Sequence, residues 1–263
     1  MPTRTTTPEL SRHLLGIWPH PDDEAYLSAG LMARMTDAGH RVTVLTLTRG
    51  EKGTSDPELY DQPHFGAMRE TELRASLAEL GVHDLRIAGY RDGECDTVDS
   101  ETAVRHIAAV IASVRPDLVV TFGPDGITGH RDHRIVSGWV TEAWRRVGRA
   151  ELLYATMTDD FVADNAELHE RIGLFGETVD GPAAISRDRI AIACELTEAE
   201  LDRKRRALAG HASQTAPLAD VMGEDVYRRW WHTEWFRRPT AAEALSSAVC
   251  APLTARSSSV VAA

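Results

Sequence analysis

The chain has 263 residues, 43% of them hydrophobic, enough apolar material for one large buried core and too much for a disordered or fibrous class. A formal net charge of -11 with no basic cluster argues against phosphate-backbone binding as the main activity, so no nucleic-acid partner is expected. No run approaches the roughly 20 apolar residues that span a bilayer, and Cys95, Cys194 and Cys250 suit neither a disulfide framework nor a thiolate zinc ribbon, which together predict a cytoplasmic protein with no membrane span.

In chain order, short apolar or β-branched runs predict strands at 14–18, 42–47, 85–88, 118–122, 152–156 and 190–194. Apolar residues at helical spacing predict helices at 25–38, 65–80, 102–114 and 132–147. Strand and helix therefore alternate, the pattern of an α/β fold: a Rossmann-like, doubly wound, mostly parallel sheet with flanking helices, in a single domain over residues 1–240. Beyond Pro239 the composition turns to Ala, Ser, Thr and Val, and 241–263 reads as a weakly ordered tail. Just before it, the Trp-rich stretch 228–236 reads first as ordinary helix packing and second as a pocket wall or subunit contact. Monomer and homo-oligomer both stay open.

Two runs carry chemistry. His20-Pro21-Asp22-Asp23-Glu24 follows the first predicted strand, and Gly129-His130-Arg131-Asp132-His133 follows the fourth. With the strand order 3-2-1-4-5, the first and fourth strands are neighbours at the switch point of the sheet, where ligands bind beyond the strand carboxyl ends. Acids at a first helical turn can serve as caps and dipole partners alone, but that account leaves His20 and the second run unexplained. His20, Asp23 and His133 make a two-histidine, one-carboxylate set with an open position, which suits zinc and a bound water whose pKa falls to about 7. Asp22 is then the candidate general base, His130 the group that stabilises an oxyanion or protonates a leaving amine, and Asp132 the orienter of an imidazole. Gly and Pro in 123–129 suit a loop forming one wall of the pocket. The remaining histidines His13, His40, His83, His106 and His169 read as core or surface residues.

On these two signatures the chain resembles the LmbE-like, or PIG-L, zinc-dependent N-deacetylases over about residues 13–236. Thr48-Arg49-Gly50-Glu51-Lys52-Gly53, Arg69-Glu70, Arg91-Asp92-Gly93, Lys204 and His211-Ala212-Ser213-Gln214 support it in the same order. The resemblance implies the same metal ligands and the same roles for Asp22 and His130. It further implies that Arg69 and Asp92 hold hydroxyls of a sugar-like substrate. Arg131 stands where many members have Pro, which adds charge near the pocket rim. Thr128 stands where enzymes acting on the mycothiol precursor carry Tyr, which turns the expectation toward another N-acyl amino sugar or a secondary-metabolite intermediate. The leading expectation is a zinc hydrolase that removes an N-acetyl or other N-acyl group from a small amino-sugar-like molecule. An amidase acting on a larger thiol conjugate or secondary-metabolite intermediate and a metal-binding protein of this fold without activity are the alternatives. A dinucleotide enzyme is disfavoured, because His-Pro-Asp-Asp replaces the glycine-rich turn and its acids would repel a pyrophosphate.

Overall fold

The computed structural model describes residues 13–54, 62–176, 178 and 181–245. Strands β1 (His13–Trp18), β2 (Arg41–Thr48), β3 (Asp84–Tyr90), β4 (Leu118–Phe122) and β5 (Glu151–Thr156) pair in parallel in the order β3-β2-β1-β4-β5, as the switch-point reading requires. Helices α1 (Asp23–Asp37), α2 (Gln62–Glu79), α3 (Ser100–Val114) and α4 (Arg131–Val147) connect them in turn.

Side chains alternate across a strand, so each strand feeds two cores. Leu14 and Trp18 of β1 join Val44, Val120 and Phe122 beneath α1 and α2, where Leu31, Met32, Leu73 and Leu77 close the layer. Leu15 and Ile17 point the other way and meet Val119, Ile107, Val136 and Trp139 beneath α3 and α4. With both faces covered, the strands read as continuous apolar runs rather than as alternating ones.

The C-terminal part adds α5 (Asp159–Asp164), α6 (Ala166–Arg171), β6 (Ile192–Glu195), α7 (Glu198–Gly210), α8 (Ala212–Met222), α9 (Glu224–Trp230), β7 (Thr233–Arg237) and α10 (Ala241–Leu245). Here the structure corrects the helix-packing reading of the Trp-rich stretch. Residues 228–230 end α9, whereas Thr233–Arg237 form a fully buried strand inserted between β5 and β6, antiparallel to both. The five residues Thr-Glu-Trp-Phe-Arg are too few to carry a period that separates strand from helix, and the two open ladder edges decide the matter. The sixth predicted strand exists as β6, at the sheet edge. Of the predicted tail, 241–245 forms α10, and Glu243 there binds Arg237 at 2.8 Å over the Tyr154 ring; residues 246–263 lie outside the described residues. No described helix is long and apolar enough to cross a membrane.

Candidate active site

Because β1 and β4 are hydrogen-bonded neighbours, the segments leaving their carboxyl ends meet, and both histidine runs fall on one cavity of about 540 Å³. His20 Nδ1 lies 3.3 Å from His133 Nε2, although the residues are 113 apart in sequence. One Asp23 carboxylate oxygen stands 3.5 Å from His133 Nε2 and the other 3.7 Å from His20 Nδ1. Ligand atoms held tetrahedrally at about 2.0–2.1 Å from zinc are separated by about 3.3 Å, so these three donors are nearly spaced for one ion.

The surrounding hydrogen bonds choose which nitrogen faces that point. His133 Nδ1 lies 3.0 Å from the Gly126 carbonyl, which fixes its proton there and leaves the Nε2 lone pair inward. Phe122 stacks on the same ring, centroids 4.1 Å apart, and pins its plane. His20 Nε2 faces the Asp92 carboxylate at 3.0 Å and the Asp132 carboxylate at 3.3 Å, which leaves Nδ1 inward. Burial alone would depress the His20 imidazole, but the hydrogen bonds to Asp132 and Asp92 and the charge of Asp23 outweigh it and hold the group at about 10. Burial, reinforced by the positive His20, pushes His133 well below the usual histidine range. Two inward ring nitrogens, His20 Nδ1 once it gives up its proton and His133 Nε2, and a buried carboxylate beside Asp22 and Glu24 form a donor set that fits a cation, and burial among these acids drives Asp23 well above the usual carboxylate range.

Asp22 is the N-terminal cap of α1 and adopts φ 94°, a left-handed conformation rare outside glycine. Its backbone N–H donates to Glu24 at 3.1 Å, and its carboxylate accepts from Arg69 Nη2 at 3.1 Å. Burial raises the Asp22 carboxyl above the usual range while Arg69 opposes that rise. His130 caps α4, and its Nδ1 accepts the Asp132 N–H at 3.2 Å, so the neutral ring carries its proton on Nε2. The donor atoms of His130 also lie within 4.8 Å of those of His20 and His133.

Arg69 and Asp92, expected to hold hydroxyls of a sugar-like substrate, both line the cavity and also bind protein groups. Arg69, 3% exposed, donates through Nη1 to the Gly50 carbonyl and through Nη2 to the Pro21 carbonyl and Asp22, whereas its buried Nε has no hydrogen-bond partner among the described residues. Asp92 spends one oxygen on His20 and the other on the Lys52 N–H at 2.9 Å, and the His20 hydrogen bond holds it at about 2 despite its burial. Asp132 likewise accepts the Gly93 N–H at 2.8 Å and is fully buried, with its carboxylate 3.3 Å from His20 Nε2. Arg131 sits outside, paired with Asp96 at 2.6 Å, and Thr128 lines the cavity with its hydroxyl 3.4 Å from His133 Nδ1.

Sequence reasoning missed two supports. Glu24 and His211 form a pair with both side chains wholly buried at 2.8 Å, and the free Glu24 oxygen holds the Asp22 backbone in its strained conformation. The only signal was the His211–Gln214 block, whose partner cannot be read without the fold. Gly50, at φ +64°, leaves a passage for Arg69: a Cβ there would stand 1.9 Å from Nη1. Gly50→Ala is therefore expected to cost about 1–3 kcal/mol in stability and to displace Arg69 from Asp22, read as a lower Tm together with a fall in kcat.

The comparisons with known proteins agree with this geometry. Residues 15–144 match the family model described as PIG-L, GlcNAc-PI de-N-acetylase. The chain is 40% identical over 274 aligned positions to the 1D-myo-inositol 2-acetamido-2-deoxy-alpha-D-glucopyranoside deacetylase of Geodermatophilus obscurus, covering 86% of this chain and 92% of that protein. It is 29% identical to the protein of the same name from Corynebacterium glutamicum, covering 76% and 74%. Its fold is shared with the N,N'-diacetylchitobiose deacetylase of Pyrococcus horikoshii at a TM-score of 0.60 and 22% identity, over 87% of this chain and 84% of that one. Signatures, sheet order and near-full-length similarity coincide, and the chain belongs to the PIG-L family of deacetylases.

Proposed function

We propose that the chain removes the acetyl group from the amine of a small amino-sugar-like molecule, with a zinc ion held by His20, Asp23 and His133. The observation that carries this reading is the meeting of two inward imidazole nitrogens and one carboxylate within 3.3–3.7 Å, beside an acid and an imidazole that a purely structural metal site does not need. Zinc bound there supplies Lewis acidity to the amide carbonyl and to water. Asp22 accepts the proton of the attacking water, and Arg69 keeps its carboxylate charged and aimed. His130 offers its Nε2 proton to the amide oxygen as charge develops there. The C–N bond breaks, the amine takes up the proton, and acetate and a free amino sugar are the products.

Removing that donor tests the assignment: His130→Ala is expected to retain zinc and to lose about 10²-fold in kcat. Loss of zinc from that variant would place His130 among the ligands instead. The reaction itself is tested by elemental analysis beside amine release from N-acetylglucosamine, its inositol glycoside and diacetylchitobiose. Stoichiometric zinc with release from any of these is the expected result; no bound metal after zinc is supplied would overturn the reading. The inositol glycoside is one arm of the panel because both curated relatives are named for it, while Thr128 occupies the position where a Tyr was expected for that substrate.

A further inference from the structure

The cavity is chemically divided, and the division says what the substrate carries. Around the histidines and at Lys52, Gly53, Gly93 and Gln214 it offers polar groups suited to a sugar. The apolar part of the lining is built by Tyr26 and Leu27 of α1, Leu174, Leu218 of α8 one turn beyond Gln214, Trp230 and Trp231. Tyr26 and Trp230 pack edge to face at 6.2 Å and Trp230 and Trp231 at 5.1 Å, so the aromatic surface is continuous. Two of its polar atoms are already engaged by protein: Trp230 Nε1 donates to His169 at 2.9 Å, and the Tyr26 hydroxyl bonds that of Tyr227 at 2.8 Å. Those two side chains thus turn carbon toward the cavity, where the hydroxyls of a second sugar would lose water without gaining partners.

We infer that the substrate bears, next to its amino-sugar part, an apolar substituent that seats on the Tyr26–Trp230–Trp231–Leu218 wall. This rests on the proposed deacylation, and its source is either the N-acyl chain or the aglycone. The wild-type enzyme distinguishes them with two series: N-acetyl, N-butanoyl and N-hexanoyl glucosamine, and the methyl, butyl and hexyl glycosides of N-acetylglucosamine. In one series kcat/KM is expected to rise about fourfold for each methylene placed against the wall. A rise along the first assigns the wall to the acyl chain, a rise along the second to the aglycone, and Leu218→Glu is expected to flatten that slope. Amine release that is equal or falling along both series overturns the inference and leaves the deacetylase reading intact. No release from any compound removes that reading, and the wall is then judged by equilibrium titration of tryptophan fluorescence with hexyl glucosaminide. Saturable quenching that methyl glucosaminide does not produce supports the inference, and its absence overturns it.

Discussion

Asp22→Asn is expected to keep its metal and its fold and to lose about 10³–10⁴-fold in kcat, the upper part of what a positioned general base contributes. Asparagine is the right probe because position 22 lies at φ 94°, which Asn tolerates far better than Ala, so a loss cannot be ascribed to backbone strain. The amide preserves the size of the side chain and an oxygen able to accept from Arg69, 3.1 Å away in the parent, but it cannot take up a proton. Measurement of zinc content, Tm and kcat on one preparation separates the outcomes. Retention of more than about a tenth of the turnover would fall far short of a base's contribution and remove Asp22 from that role.

Lys204→Met is expected to destabilise the protein by about 3–5 kcal/mol, because it strips the partner from a carboxylate with no exposure to solvent. Lys204 Nζ lies 2.9 Å from Glu234, and Glu234 in turn accepts the Gly30 and Leu31 N–H groups in the middle of α1 at 2.8 and 2.9 Å. The ammonium also donates to the Tyr26 carbonyl at 2.5 Å, so the pair is wedged into the helix whose first turn carries Asp22 and Asp23. Gly30 permits the approach, since a Cβ there would meet Leu196 at 2.2 Å and Glu234 at 3.2 Å. For a chain of this size the loss corresponds to a fall in Tm of about 6–20 °C. The double variant Lys204→Met/Glu234→Gln is expected to recover part of it by removing the stranded charge. A single variant melting within about 2 °C of the parent, less than about 1 kcal/mol, would show that the carboxylate finds other compensation.

The two signatures were legible because each combines a strand end, a tight turn and ligand types that local structure alone does not require. Helices α1 to α4 were legible for a similar reason: Leu73, Leu77 and Leu80 repeat at helical spacing because they meet one sheet face. β7 was not legible, since its place between β5 and β6 is decided by open ladder edges far away in sequence. Arg69 and Asp92 could be located near the site but their protein partners could not, because the Gly50 and Pro21 carbonyls and the His20 ring come from other loops.

By itself the sequence determined the alternation of strands and helices, the family signatures and the identity of the candidate ligands, all of which depend on short-range order and residue chemistry. Only the tertiary structure decided which imidazole nitrogens face inward, which acids lie against His20, and that Glu24 with His211 and Glu234 with Lys204 brace α1 from within. Apart from the His133–Gly126 contact, seven residues apart, those properties belong to pairs of groups 30 or more residues apart, whose distances are fixed by packing and by the need to satisfy buried charge.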